Sequence, residues 1–302
     1  MTTFIVTGAT QGLGLATARA LAADSRRRVV LAVRDLDRGR AAAAAIGSNV
    51  TALPLDLASL GDIERFIADW QGDLAGLVNN AGVQITDDTR LTCDGYEETC
   101  AVNHLGAVAL TLGLLPRLVG GRVLFIGSGT HHPGNRMASL FGFRGARLTS
   151  VRAAARGDHD DAASIRQRGL DRYATSKFFN MVTAVELARR HPAEVTSFFA
   201  LDPGLMPGTG LARTAPLAAR LAWSSVLRWV APLLPDTSTP TRSGATAAWI
   251  MTADAVEASS GAVFAHDGAH ARRVWDRVFD PATGRLVVDE SVALVQQRRG
   301  AR

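Results

Sequence analysis

A glycine-rich turn near the start of the chain joins a short apolar run to a stretch rich in alanine and leucine. Residues 3–7 predict a β-strand, residues 13–23 predict a helix, and the turn between them carries Gly8, Gly12 and Gly14. Glycine tolerates positive φ and lets a backbone approach a ligand closely. The free N–H groups and the positive end of a following helix favour a phosphate at such a turn. A strand, a glycine-rich turn and a helix in this order therefore predict a dinucleotide site.

Strand-like runs and helical stretches alternate along the rest of the chain. Further strands are predicted at residues 28–33, 50–55, 74–78, 122–126, 194–200 and 263–265. Such alternation is typical of a parallel sheet with right-handed crossovers. We therefore expect one α/β domain over residues 1–302, built on a Rossmann-type doubly wound parallel sheet.

Two long connections interrupt the alternation, a polar insertion at residues 129–169 and a proline-punctuated segment at residues 202–241. Both follow predicted strand ends, where doubly wound sheets bind ligands, and long connections are often functional. Within the second, residues 211–234 hold two tryptophans among leucines and alanines, with arginines spaced by seven and eight. This pattern predicts an amphipathic lid over an apolar substrate. A contact with a membrane surface and plain core packing stay open as alternatives.

The end of the second predicted strand indicates which dinucleotide binds. Chains that bind NAD typically place an acid there to hold the ribose hydroxyls, but this strand ends on Val33 and Arg34. A guanidinium can pair with a 2′-phosphate, so the pattern favours NADP over NAD, and Asp35 is expected to begin the next helix. After the third strand, Asp56 and Leu57 are candidate adenine contacts, with a helix cap at Asp56 as the alternative.

The single lysine of the chain, Lys177, lies four residues after Tyr173, one of two tyrosines. Residues at i and i+4 share a helix face, and an ammonium beside a phenol lowers the pKa of the phenol from its usual value of about 10. Such a tyrosine can exchange a proton with a carbonyl or an alcohol near neutral pH. The pair therefore predicts a general acid/base at Tyr173, and a surface pair without a role is the alternative.

Taken with residues downstream, these motifs resemble the short-chain dehydrogenase/reductase family. The resemblance covers roughly residues 1–204 in order. Its elements are Gly8, Gly12 and Gly14, then Asn79-Asn80-Ala81-Gly82, Asn103, Ser128, Tyr173 with Lys177, and Pro203-Gly204. The resemblance implies a Rossmann fold, a nicotinamide cofactor and oxidoreduction of an alcohol or a carbonyl.

Carried over by position, the resemblance implies that Tyr173 is the general acid/base, and that Lys177 lowers its pKa and binds the nicotinamide ribose. Ser128 would hydrogen-bond the substrate oxygen, and Asn103 would hold the helix and a water of the proton relay. Together with the positions argued above, the candidate cofactor contacts are Gly8, Thr10, Gln11, Gly12, Leu13, Gly14, Arg34, Asp56, Leu57, Asn79, Ala81, Gly82, Tyr173, Lys177, Pro203 and Gly204.

Residues 102–106 and 176–181 resemble the branch that contains retinol dehydrogenases and light-dependent protochlorophyllide reductases. The chain departs from the latter at Leu205, where those enzymes carry a functional cysteine, and Cys93 and Cys100 are too distant in sequence to replace it. We therefore expect an NADP-dependent oxidoreductase of a lipophilic carbonyl or alcohol. Reduction of a C=C bond and an NADP-binding regulator of low turnover are the alternatives.

Composition excludes several other classes of protein. The formal net charge is +5 and the basic residues are dispersed, which argues against nucleic-acid binding. His131 and His132 lack partner ligands and the cysteines form no CxxC pair, so we predict no metal. These histidines are expected to line the pocket or to lie on the surface of the insertion. We also expect a cytoplasmic protein without a signal peptide, and a monomer or weak homodimer, since the insertion would cover a face that many relatives use for assembly.

Overall fold

Seven parallel strands form one sheet in the computed structural model of the chain, which describes residues 1–147, 150–158, 164–206 and 236–297. The strands are β1 Thr2–Thr7, β2 Arg27–Val33, β3 Val50–Pro54, β4 Gly76–Asn79, β5 Gly121–Ile126, β6 Thr196–Asp202 and β7 Val263–Ala265. Their spatial order is β3-β2-β1-β4-β5-β6-β7. This is the order of a doubly wound dinucleotide-binding sheet, and it confirms the predicted fold class. The predicted lid at residues 211–234 lies outside the described residues.

Helices connect the strands and cover both faces of the sheet. The longer ones are α1 Gly12–Ala22, α2 Leu36–Ala44, α3 Leu60–Asp69, α4 Glu98–Arg117, α5 Ile165–Arg190, α6 Pro240–Thr252 and α7 Pro281–Gln297. Short helical turns occur at Gly129–His131, Arg136–Ser139, Val151–Ala155, Asp254–Ser259 and Asp276–Val278. Every predicted strand overlaps an observed one, although β4 and β6 begin further toward the C-terminus than predicted.

The sheet separates two apolar cores. Ile5 on β1 packs into a core shared with α3, α4, α5 and α7, whereas its neighbours Phe4 and Val6 pack into a core shared with α1, α2 and α6. Successive side chains of a strand point to opposite faces. Because both faces are covered, the central strands are short, nearly continuous apolar runs, which is why the sequence predicts them well.

Helix α4 contains a π-helical turn at Ala101–Leu105. Such turns are rare and often occur at functional sites, and this one carries Asn103 and His104, which are both buried. The helix is long and apolar enough to pass as a membrane span, but 78% of that apolar stretch is buried inside the fold. That burial is typical of the core helix of a folded domain.

The insertion predicted at residues 129–169 ends earlier than expected, because α5 already begins at Ile165. Ser164 caps this helix with its hydroxyl, which accepts a backbone hydrogen bond from the first turn. The insertion also packs against α5, since Arg144 forms an ion pair with Asp171. Its described part is therefore a folded wall beside the helix that carries Tyr173 and Lys177.

Candidate active site

The glycine-rich turn after β1 leaves open space at the beginning of α1. Gly12 has a φ of 58°, and a Cβ at this position would meet no atom of the described residues within 4 Å. Gln11 precedes the helix without a capping side-chain hydrogen bond, and the first turn contains no acidic residue. The N–H groups and the positive end of the helix are therefore available to an anion.

Gly8 lies directly against the loop that follows β4. Its φ is 65°, and a Cβ there would lie 2.8 Å from the Cα of Ala81. Thr7 holds the two loops together, because its Oγ1 accepts hydrogen bonds from the backbone N–H groups of Asn80 and Ala81, each at 3.0 Å. The Asn80 side chain in turn donates to the Thr7 carbonyl at 2.8 Å. The loop at residues 79–82 therefore fixes the shape of the glycine turn.

Asn79 carries a buried acceptor atom that no described residue satisfies. Its Nδ2 donates to Thr111 Oγ1 at 2.9 Å, whereas its buried Oδ1 has no partner among the described residues. An unpaired buried polar atom is costly, and in native proteins it calls for an explanation. An open glycine turn, an uncapped helix end and a free buried acceptor together fit a dinucleotide.

Two arginines, Arg34 and Arg38, lie exposed where β2 leads into α2. Arg38 donates to Gln11 Oε1 at 3.5 Å, so a second guanidinium lies beside the glycine turn. Sequence reasoning named only Arg34 and missed this partner, although the four-residue spacing of the two arginines was visible. Asp35 begins α2 as predicted, since its carboxylate accepts the backbone N–H of Arg38 at 3.0 Å.

The two candidate adenine contacts after β3 differ in exposure. Asp56 is half-buried and accepts the backbone N–H of Ala58 at 3.0 Å, while Leu57 belongs to the apolar core. The alternative that Asp56 caps the next helix is wrong. Ser59 caps α3, because its hydroxyl accepts the backbone N–H of Asp62. Asp56 stays a predicted cofactor contact.

Lys177 is buried on α5, with only 3% of its surface exposed. Its Nζ donates to the carbonyl of Ile126 at 3.1 Å and lies 5.6 Å from the centroid of the Tyr173 ring. A Cβ on Gly82 would be 3.4 Å from the same Nζ. Burial lowers the pKa of Lys177 to about 8. The ammonium therefore lies between the tyrosine and the loop predicted to contact the cofactor.

Tyr173 differs from the sequence-based expectation, because its pKa is raised rather than lowered. Burial is the largest cause, the charge of Asp202 raises the pKa further, and a hydrogen bond with the Ser128 hydroxyl acts in the opposite direction. The Lys177 ammonium donates to the carbonyl of Ile126 at 3.1 Å. The prediction that the pKa of Tyr173 falls below its usual value is therefore wrong for this structure, where loss of hydration dominates.

Asn103 connects the loop after β4 to α5. Its Oδ1 accepts the backbone N–H of Val83 at 2.7 Å, and its Nδ2 donates to Ser176 Oγ at 2.9 Å. Ser176 donates to the carbonyl of Tyr173 at 2.8 Å. The π-helical turn thus places one amide where it ties the predicted cofactor loop to the helix of the acid/base residue.

Ser128 and Tyr173 open into a cavity of about 370 Å³ beyond the C-terminal ends of β5 and β6. Pro203 and Gly204, both candidate cofactor contacts, line the same cavity. The insertion supplies an apolar wall formed by Met137, Ala138, Phe141 and Phe143. The volume lies within the usual range for a small-molecule site, and an apolar wall with a few convergent polar groups is typical of one.

His131 has a structural place rather than either of the predicted ones. It is buried, its Nδ1 lies 2.6 Å from the carbonyl of Ser128, and its Nε2 accepts the backbone N–H of Trp275 at 3.2 Å. Burial lowers its pKa to about 4. Neither His131 nor His132 lines the cavity, and His131 instead ties the loop after β5 to the C-terminal region.

Asp202 is a candidate functional residue that sequence reasoning missed. It is the last residue of β6 and lines the cavity beside Ser128 and Tyr173. Its Oδ1 accepts the backbone N–H of Gly204 at 3.1 Å. An aspartate before Pro203-Gly204 is typical of a turn. The sequence therefore gave no reason to place Asp202 in the cavity with Tyr173.

Comparison with known proteins agrees with this geometry. The family model described as short chain dehydrogenase matches residues 2–142. A protochlorophyllide reductase A of Arabidopsis thaliana is 31% identical over an alignment that covers 90% of this chain and 74% of that protein. The chain belongs to the short-chain dehydrogenase family.

Other relatives of this short-chain dehydrogenase lie in the same branch that residues 102–106 and 176–181 indicate. The protochlorophyllide reductase of Pisum sativum is 34% identical over 235 residues, which cover 69% of this chain and 57% of that protein. The chain therefore spans little more than half the length of this curated relative. A protein of unknown function from Mycobacterium paratuberculosis has a similar structure, with a TM-score of 0.67 at 26% identity and coverage of 98% and 94% of the two chains.

A further solved structure shares the fold of this short-chain dehydrogenase. It is a putative NAD(P)-dependent gluconate 5-dehydrogenase from Beutenbergia cavernae with bound NADP, at a TM-score of 0.62, 23% identity and coverage of 88% and 95%. At that identity the likeness supports the fold alone.

Proposed function

We propose that this short-chain dehydrogenase is an NADP-dependent oxidoreductase that transfers hydride between the nicotinamide and a lipophilic carbonyl or alcohol. The observation that carries the proposal is the cavity, where the Ser128 hydroxyl and the Tyr173 phenol share one space with an apolar wall. The ring of Phe143 lies 6.0 Å from that of Tyr173, centroid to centroid. A flat or apolar substrate placed against this wall would bring its oxygen to the two hydroxyls.

In this proposal Ser128, Tyr173 and Lys177 each have a separate role in binding the substrate and transferring the proton. When bound along the glycine turn, the dinucleotide would supply or accept the hydride. Ser128 would hold the substrate oxygen by a hydrogen bond, and Tyr173 would donate its proton to that oxygen during reduction. The buried Lys177 ammonium, 5.6 Å from the ring centre, would stabilise the phenolate that this transfer leaves.

The choice of NADP is supported by the charges at the end of β2. Arg34 and Arg38 provide two exposed guanidinium groups there, and a guanidinium matches a phosphate with paired hydrogen bonds. The acid that would hold the ribose hydroxyls of NAD is missing at Val33.

Reduction of a C=C bond is the second candidate, because the relatives reported above are protochlorophyllide reductases. Leu205 lines the cavity at the position where the resemblance places a functional cysteine. The two thiols of the chain do not replace it, since neither Cys93 nor Cys100 lines the cavity. Cys100 is buried, and this raises the pKa of its thiol. We therefore place carbonyl chemistry first.

The test is NADPH consumption with three sets of compounds: lipophilic ketones and aldehydes, conjugated compounds reducible only at C=C, and protochlorophyllide in light and darkness. We expect turnover of carbonyl compounds, with a loss of roughly 100-fold in Ser128→Ala. Ser139→Ala is the matched control, because that exposed serine lies on the same insertion but outside the cavity. Turnover confined to C=C compounds would replace the first candidate by the second.

A further inference from the structure

We infer that Thr130 is a positioning residue, which holds the Ser128 hydroxyl so that its single hydrogen points to the substrate oxygen. This role rests on the proposed function, in which Ser128 binds that oxygen. A serine hydroxyl can rotate, and it can donate or accept a hydrogen bond. A second residue is therefore needed to make Ser128 a donor before the substrate arrives.

The Ser128 hydroxyl has two contacts with Thr130. Its Oγ accepts the backbone N–H of Thr130 at 3.3 Å and the hydroxyl of Thr130 at 3.0 Å. Both residues line the cavity, and Ser128 caps the helical turn Gly129–His131 that follows β5. A hydroxyl has two acceptor lone pairs and one hydrogen. Because Thr130 occupies both lone pairs, only the hydrogen of Ser128 is left for a partner in the cavity.

The backbone of Ser128 is fixed as well. The Ser128 carbonyl accepts the backbone N–H of His131 at 3.1 Å and lies 2.6 Å from His131 Nδ1. His131 Nε2 accepts the backbone N–H of Trp275 at 3.2 Å, so Nδ1 carries the ring proton and donates it to the Ser128 carbonyl. These bonds tie the backbone of Ser128 to the C-terminal region and leave Thr130 to set the direction of the hydroxyl.

The Thr130 hydroxyl does more than the turn requires. A serine that caps a turn accepts the backbone N–H two residues later, and every residue except proline has that N–H. Any such residue at this position would complete the turn without a hydroxyl. Among the described residues, Ser128 is the hydrogen-bond partner of the Thr130 hydroxyl. This contact indicates a role in the cavity rather than in the turn.

A donor held in this direction suits a carbonyl substrate. During reduction the carbonyl carbon gains a hydride from the reduced nicotinamide, and the π electrons of the C=O bond move to the oxygen, which then takes the proton of Tyr173. The phenolate that remains regains a proton from solvent. A hydrogen bond from Ser128 stabilises the developing negative charge most when its hydrogen already points to the oxygen. Thr130 should therefore contribute to kcat more than to substrate binding.

Two substitutions separate the hydroxyl of Thr130 from its methyl group. Thr130→Val keeps the shape and the backbone N–H but lacks the hydroxyl, whereas Thr130→Ser keeps the hydroxyl. With a lipophilic ketone that the parent protein reduces, we expect Thr130→Val to lower kcat roughly tenfold with little change in KM. Thr130→Ser should retain most of the parental kcat. Thr252→Val is the matched control, because Thr252 lies outside the cavity and its hydroxyl donates to the Ala248 carbonyl of its own helix.

A double-mutant cycle distinguishes positioning from a general structural effect. In Ser128→Ala there is no hydroxyl to direct, so adding Thr130→Val should lower kcat no further. An equal fall in that background, or an unchanged or higher kcat in Thr130→Val alone, would overturn the role of Thr130 and leave the proposed function in place. Should Thr130→Val fold poorly, Thr130→Ala removes the same hydroxyl with less bulk. A parent protein that reduces no carbonyl compound would refute the proposed function, and the role of Thr130 with it.

Discussion

The Lys177 ammonium donates to the Ile126 carbonyl at 3.1 Å, at the end of the strand that leads into Ser128. The same carbonyl accepts the side chain of Asn180 at 3.2 Å. The lysine is therefore anchored to the sheet rather than to the phenol, with its nitrogen close to Gly82. This position leaves further N–H donors of the ammonium for the ribose of a bound cofactor.

Lys177→Arg should therefore remove most activity although it preserves charge. A guanidinium is broader than an ammonium, and the lysine is only 3% exposed, with its nitrogen 3.1 Å from the Ile126 carbonyl. We expect a loss of roughly 100-fold in kcat/KM with NADPH. The control is Arg189→Lys on the same helix, which should change turnover little. Near-native kcat/KM and NADPH affinity in Lys177→Arg would contradict the assigned role.

Arg34→Ala and Arg38→Ala should each weaken NADPH binding selectively. Each guanidinium is expected to pair with the 2′-phosphate, and loss of one should raise the Kd for NADPH roughly tenfold while that for NADH changes little. Fluorescence titration with both dinucleotides measures this. Arg40→Ala is the control, since Arg40 pairs with Asp37 on the outside of α2. If the Kd values for NADPH and NADH rise equally, the arginines do not bind the 2′-phosphate.

Acid should destabilise the fold through two buried histidines, His104 and His131. Burial lowers the pKa of each to about 4, whereas in the unfolded chain each returns to about 6.5. The unfolded state then binds more protons, so stability is full above about pH 6.5 and falls toward pH 4. The loss is of order 3 kcal/mol for each histidine.

Urea unfolding at several pH values measures this loss. His104 lies 3.2 Å from Asn180 Oδ1 and 2.8 Å from Ser291 Oγ, so His104→Gln retains polar atoms without a titrating ring. That variant should show a smaller fall in the free energy of unfolding between pH 7 and pH 4.5. An identical fall in both proteins would mean that His104 does not titrate on unfolding.

The sheet and the positions of the candidate site residues were predictable for physical reasons. Buried parallel strands are short apolar runs. A glycine-rich turn between a strand and a helix, as at Gly8 and Gly12, is typical of a dinucleotide site. Helical spacing alone was enough to place Tyr173 and Lys177 on one helix face. The predicted end of β5 was enough to place Ser128 at the edge of the sheet. Each of these features is local in sequence.

What the sequence did not predict depends on packing between distant segments. Burial raises the pKa of Tyr173, whereas the sequence predicted a lowered pKa. The burial of this side chain cannot be predicted from a local sequence pattern. Asp202 approaches Gly129 only because β6 lies beside β5, and Arg38 is near Gln11 only once the first two strands pair. His131 was expected to line the pocket or to lie on the surface of the insertion, whereas in the structure it is buried and contacts Ser128 and Trp275.

The most direct test of the account is hydride transfer by Tyr173→Phe, measured as NADPH oxidation with a lipophilic carbonyl compound that the parent protein reduces. The variant retains the ring and its packing but loses the proton, and Tyr96→Phe is the matched control. We expect a fall of at least about 100-fold for Tyr173→Phe, with NADPH affinity retained and no comparable loss in Tyr96→Phe. An unchanged rate in Tyr173→Phe would contradict the assignment of the acid/base.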